Sequence, residues 1–196
     1  MGGSLTSFRY CEYYCLDFLG NVTSLSILSL DCTRLARLPD SIGQLTSLVE
    51  LHAGCNALTH LPDSIGNLNS LTHLDICINK LTRLPDSIGD LTSLDHLDVH
   101  YNQLTALPDS IRNLVALTYL DVGSNRLTQL PDSIGDLLSL IELHVYCNLL
   151  TRLPDSIGNL LALCKLNAKE NTVSSTKKRK DEITRRFGRD GLRIYL

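Results

Sequence analysis

Residues 71–93 read LTHLDICINKLTRLPDSIGDLTS, and the same 23-residue phrase returns along most of the chain. The block Leu-Pro-Asp-Ser-Ile begins at Leu38, Leu61, Leu84, Leu107, Leu130 and Leu153, always at intervals of 23 residues, with no insertion or deletion. So strict a period marks a repeat solenoid, in which a unit buries its apolar face only against its neighbours. Within the phrase, the L-x-L portion alternates apolar and polar residues, the pattern of a short half-buried strand. A crossover separates consecutive strands, so they run parallel along one wall. Proline removes a backbone donor and fixes φ, so Leu-Pro-Asp-Ser-Ile-Gly is expected to return as a 3₁₀ or single-turn arc. Gly43, Gly66, Gly89, Gly135 and Gly158 close the arc, and Arg112 takes that place in one repeat. Arg112 is strained if the position needs positive φ; otherwise glycine serves close packing there.

The positions Leu71, Leu74, Ile76, Asn79 and Leu81 spell L-x-x-L-x-L-x-x-N-x-L. This phrase resembles the leucine-rich repeat, over roughly residues 25–173. The resemblance implies an α/β fold: a right-handed solenoid, a horseshoe arc with parallel strands on its concave face and short 3₁₀ or helical arcs on its convex face. It further implies that the asparagines at 56, 79, 102, 125, 148 and 171 bond to backbone groups of the adjoining turns as a ladder. Thr33 stands at that place in the first repeat, where a weaker bond is expected. Residues 1–24 are assigned to an N-terminal cap containing a degenerate return segment, residues 25–173 to seven repeats, and residues 174–196 to a basic C-terminal capping helix and tail. Residues 177–196 read as a helix with Ile183 and Phe187 inward, and residues 191–196 resemble the closing segment of intracellular leucine-rich repeat proteins.

The chain of 196 residues has a net charge of −3, unevenly spread. Residues 1–173 are net −8 and residues 174–196 net +5. An acidic body favours basic partners, and the lack of a broad basic surface argues against nucleic acid. No apolar run approaches the ~18 residues of a membrane span, and the N-terminus lacks a signal-peptide pattern. Seven cysteines without a C-x-x-C pair read as reduced thiols of a cytoplasmic protein.

The polar strand positions form columns one repeat apart. The first runs Ile27, Glu50, His73, His96, Tyr119, Glu142, Lys165, and the second Ser29, His52, Asp75, Asp98, Asp121, His144, Asn167. A third holds Asp31, Gly54, Cys77, His100, Gly123, Tyr146 and Lys169, and a fourth Cys32, Cys55, Ile78, Tyr101, Ser124, Cys147 and Glu170. Framework positions barely change within the chain, whereas these columns change at almost every step. His73, Asp75, His96, Asp98, His100, Tyr101, Tyr119, Asp121, His144 and Tyr146 are the candidate contact patch for a protein partner with a basic surface. Drift of solvated residues is the plain alternative. His73, Asp75, His96 and Asp98 also form a two-by-two set of zinc-competent ligands, though flat strands hold them without a pocket. Cys77 lies beside His100, but an open wall offers no oxyanion donors, and no P-loop or G-x-G-x-x-G occurs. Neither an enzymatic activity nor a cofactor is expected.

At the termini, Met1-Gly2-Gly3-Ser4-Leu5-Thr6 fits the myristoylation pattern at Gly2, with Cys11 and Cys15 as possible second lipid sites. The run Lys177, Lys178, Arg179, Lys180 looks like a nuclear-import or acid-binding patch, or the solvated face of a capping helix. The 23-residue L-P-x-x-I form is similar to plant Ras-group-related leucine-rich repeat proteins and animal Ras-signalling scaffolds, and it lacks the L-x-G-x-I-P form of plant receptor ectodomains. That similarity implies a non-catalytic scaffold or adaptor in intracellular signalling. The competing expectation is the recognition fragment of a larger immune receptor, kinase or ligase. Nothing in the sequence specifies an oligomeric state.

Overall fold

The computed structural model describes residues 3–5, 24–174 and 177–196. Gly2, Cys11, Cys15 and most of the expected N-terminal cap lie outside the described residues. Among the described residues, nine strands form one parallel sheet in chain order. They are β1 (Gly3–Leu5), β2 (Leu25–Ser29), β3 (Glu50–His52), β4 (His73–Asp75), β5 (His96–Asp98), β6 (Tyr119–Asp121), β7 (Glu142–His144), β8 (Lys165–Asn167) and β9 (Arg193–Tyr195). From β2 to β8 the register is one full repeat at every step, so His73 stands beside His96 and Asp75 beside Asp98. The strands are short because the proline-containing return must begin within the same 23 residues.

Opposite the sheet lie the arcs Asp40–Gln44, Asp63–Asn67, Asp86–Asp90, Asp109–Asn113, Asp132–Asp136 and Asp155–Asn159, all 3₁₀. Each follows a proline with φ between −66° and −74°, as the sequence pattern predicts. Between sheet and arcs runs one continuous core from Leu25 to Phe187, made almost wholly of Leu, Ile and Val.

Arg112 and the arc glycines all lack positive φ, so glycine serves close approach. A Cβ on Gly66 would lie 2.7 Å from the Ser87 carbonyl oxygen of the next arc. The hydroxyls of Ser41, Ser64, Ser87, Ser110 and Ser156 are buried without a hydrogen-bond partner. Ser133, the serine that follows the Arg112 repeat, instead donates to Asp109 at 3.4 Å. The one repeat with a side chain at the glycine position is therefore the one after which the serine turns outward.

The asparagine ladder is present. Asn79 accepts from the Leu58 N–H at 2.9 Å and donates to the carbonyls of Ala53, Ile76 and Cys77 at 2.9, 3.1 and 3.1 Å. Thr33 has only a hydroxyl to offer, which donates to the Leu30 carbonyl at 2.6 Å.

The C-terminal segment differs from the single helix expected over residues 177–196. Helix α1 covers Lys177–Phe187 only, and β9 then pairs in parallel with β8. Gly188 and Gly191, the latter at φ 84°, turn the chain out of the helix, and alternating Arg193-Ile-Tyr195 suits a strand. Ile183 and Phe187 are buried at the end of the core. The basic run occupies the first turn of α1, where the helix dipole disfavours cations. Lys180 reaches across to the Leu196 carbonyl at 2.7 Å.

Candidate protein-binding wall

The alternation of β3–β8 points the middle residue of each strand into the core and turns its two neighbours to the wall, where Asp121 and His144 are themselves nearly covered. Leu51, Leu74, Leu97, Leu120, Leu143 and Leu166 are fully buried, which leaves the first and second columns facing out. All ten candidate residues lie in or just beyond these strands. Four of their rings form a continuous series: His73 stacks on His96 at 5.6 Å, His96 on Tyr119 at 4.2 Å, and Tyr119 meets His144 at 5.3 Å. Tyr146 meets His144 edge-on at 6.5 Å, and His100 meets Tyr101 edge-on at 5.3 Å. Tyr101 is the most open of them, 58% exposed.

Beside the rings runs the carboxylate column. Asp75, Asp98 and Asp121 each accept from the backbone N–H two residues on, at Cys77, His100 and Gly123, with distances of 3.0, 3.0 and 2.7 Å. One oxygen of each is thus committed to holding the turn after the strand. Asp98 also accepts from the His100 ring at 2.6 Å, and Tyr119 donates to Asp121 at 3.4 Å. The second cluster is Glu142, which binds His144 at 2.9 Å and Lys165 at 3.0 Å.

Burial sets the charge states. Asp121 is 6% exposed; its burial pushes the carboxyl above its usual range, and Asp98 adds to this against the Gly123 hydrogen bond. Burial lowers the His96 imidazole, with Asp98 opposing. Burial raises the Tyr119 phenol and takes Tyr146 to about 12. The Cys77 thiol is raised by burial and then by Asp75, which leaves it a poor nucleophile. Hydrogen bonds from His144 and Lys165 hold Glu142 below its ordinary value.

The signs for Asp121 and His96 are opposite. A carboxyl whose folded pKa is raised binds protons more readily in the folded chain, so its ionisation subtracts stability as pH rises from 3.8 through the folded value. A histidine whose folded pKa is lowered subtracts stability as pH falls from 6.5 through its folded value. Asp121→Asn keeps the acceptor for Gly123 and removes the charge. It is expected to raise the denaturation midpoint at pH 7, by roughly 1 kcal/mol, with the gain vanishing near pH 3. A variant less stable than wild type at pH 7 would show that the charge is compensated in the folded wall.

The zinc-competent set read from the sequence is not the one that converges. Among the described residues, one ligand atom each from Asp98, His100 and Asp121 lie within 4.8 Å of one another, and His73, Asp75 and His96 are not of that group. Those three groups are one ligand short of a four-coordinate zinc set, and the His100 Nδ1 is engaged with Asp98.

Two features of the wall escaped the column reading. Gly123 is a seat for Tyr146, whose ring lies where a Cβ on Gly123 would be, and Gly54 likewise faces the Cys77 sulfur, at 3.1 Å from such a Cβ. A glycine followed one repeat later by a bulky residue was the available signal. The fourth column, Cys32 to Glu170, is left-handed throughout, with φ between 49° and 56° and no glycine.

Comparison with known proteins fits this geometry. A family profile described as a leucine-rich repeat region matches residues 4–103 and 96–185. The chain belongs to the leucine-rich repeat family. A leucine-rich repeat protein of Leptospira interrogans superposes with a TM-score of 0.86 at 31% identity, covering 92% of this chain and 45% of the other. A Listeria monocytogenes internalin, at 23% identity and TM-score 0.72, covers 92% of this chain and 50% of its own, and shows the fold alone. A plant peptide hormone receptor, RGFR1 in complex with RGF2, gives 0.70 at 28% identity over 79% of this chain and 26% of the receptor. This leucine-rich repeat chain therefore spans half or less of each of these three structures. No curated protein matches it. Leucine-rich repeat arrays serve in general as non-catalytic scaffolds for protein interaction. No helix among the described residues is long and apolar enough to cross a membrane.

Proposed function

We propose that this leucine-rich repeat array is a scaffold or adaptor whose concave wall binds an extended protein segment bearing Lys or Arg. The observation that carries the reading is the series of rings His73–His96–Tyr119–His144 laid directly beside the carboxylates Asp75, Asp98 and Asp121. Ring faces attract guanidinium and ammonium groups, and carboxylates accept their N–H donors in charge-assisted bonds. On the described wall the cationic side chains of the first and third columns stand at one end, at Lys165 and Lys169. Asp75 and Asp98 are the carboxylates of that column open enough to meet a partner's charge, since Asp121 is nearly buried. An extended segment suits a wall built of parallel columns, because alternate side chains then meet successive repeats.

An intracellular signalling setting draws support from the 23-residue L-P-x-x-I form and its similarity to Ras-group-related proteins. A second reading, the recognition portion of a longer receptor, kinase or ligase, draws support from the greater length of the structures that match.

Peptide arrays probed with wild type and with the triple variant Asp75→Asn, Asp98→Asn, Asp121→Asn test the wall. Asparagine can still accept from the three backbone donors, so the fold is retained. Wild-type binders are expected to be enriched in Lys and Arg, to weaken as salt rises, and to lose at least about tenfold in affinity for the variant. Binders without basic enrichment, or bound equally by both proteins, would sink the reading.

A further inference from the structure

Cys32 and Cys55 occupy the same left-handed position of successive repeats, with φ of 56° and 55°. Their backbones are tied in register: the Cys32 N–H donates to Gly54 at 3.1 Å and the Cys55 N–H to Cys77 at 3.0 Å. Neighbouring chains of such a wall run about 4.8 Å apart, within the Cα separation of about 4.4–6.8 Å that a disulfide bridges. Both thiols are free and exposed, so little packing opposes their rotation toward each other. The Cys55 thiol is the chief influence that raises the Cys32 thiol above its ordinary value, in keeping with their places one repeat apart. Nothing in the fold demands cysteine here, since the same position holds Ile78, Tyr101, Ser124 and Glu170 in other repeats. Cys147, the remaining cysteine of the column, faces Glu170 at 2.9 Å rather than another thiol.

We propose that Cys32 and Cys55 form a redox-modifiable dithiol, which a low-molecular-weight disulfide such as oxidised glutathione converts into a bridge between the first two repeats. One protein thiolate attacks a glutathione sulfur; a protein–glutathione disulfide forms and the first glutathione thiolate leaves. The second protein thiolate then attacks the protein sulfur of that mixed disulfide and expels the second glutathione thiolate. Two protein thiols are oxidised, one glutathione disulfide is reduced, and the two thiol protons end on the two glutathiones. The bridge closes a loop of one repeat between the turns that follow β2 and β3, next to Asp31, whose carboxylate accepts from the Gly54 N–H at 2.7 Å. Those two repeats would then separate less readily, because neighbour contacts are what hold a solenoid together.

The full chain is treated with oxidised glutathione at mildly alkaline pH, where more thiolate is present. Intact mass and fragment mapping are read beside Cys32→Ser and Cys55→Ser. In wild type the fragments holding Cys32 and Cys55 are expected to lose two hydrogens together, as a link that dithiothreitol reverses, and the chain to resist proteolysis better around residues 32–55. Each single variant is expected to keep one stable glutathione on its remaining thiol of the pair. A wild type that carries glutathione on both thiols, links either one to a different cysteine, or leaves both free would overturn the proposal.

Discussion

Replacing Asn102 by alanine is expected to cost the array several kcal/mol, read as a lowered midpoint in chemical denaturation. Asn102 is buried, accepts from the Leu81 N–H at 3.0 Å, and donates to the carbonyls of Ile76, Val99 and His100 at 3.0, 3.0 and 3.3 Å. Alanine replaces none of these bonds. Leaving a buried group without its partner costs about 1–3 kcal/mol, and more than one group is orphaned here, so a loss of about 3–5 kcal/mol follows. The position is central, so the damage cannot be confined to a frayed end. Asn102→Thr should fall between the two, because Thr33 shows that a hydroxyl at this place retains one carbonyl bond. An alanine variant within about 0.5 kcal/mol of wild type would mean that water replaces the ladder at no cost.

Phe187→Ala should have an effect of similar size but a different reach. Phe187 and Ile183 lie one helical turn apart and close the C-terminal end of the core. Truncating a buried phenylalanine costs about 3–5 kcal/mol. In a solenoid that cost falls on the neighbours, so hydrogen exchange is expected to accelerate in α1, β8 and β9 while β4 and β5 keep their protection. The exposed ion pair between Arg186 and Asp155 should not rescue the end, since such surface pairs contribute little. Arg189, donating to the carbonyls of Leu160 and Leu163, helps to hold the same end. Equal loss of protection along the whole array would show that it unfolds as one unit, against nearest-neighbour behaviour.

The architecture was legible in the sequence because one periodic constraint acts at every repeat. Leu74, Asn79 and Pro85 recur in phase, and each has a physical job: core contact, backbone satisfaction, a fixed φ. The columns were legible for the same reason, since an unbroken 23-residue interval cannot change the register. What a wall residue does with its polar atoms was not legible. Asp75, Asp98 and Asp121 look alike on paper as partner-facing charges, yet one oxygen of each is spent on the following turn. Tyr146 lies down only because Gly123 leaves room, a relation between residues 23 apart rather than a property of either. The ninth strand was missed because residues 177–196 carry helical and extended signals within one short, charged stretch. Gly188 and Gly191 divide them, and the pairing with β8 then decides the second half.

The left-handed column has a consequence for how the array was able to diversify. Cysteine, isoleucine, tyrosine, serine and glutamate all adopt positive φ there, a conformation that disfavours every one of them and isoleucine most. The neighbouring turns must therefore impose the backbone whatever side chain arrives. A site whose shape is dictated from outside can exchange its chemistry without reshaping the frame. Each repeat thus holds one outward residue free to specialise, and installing asparagine or glycine at several of them would harden the scaffold while erasing its individuality.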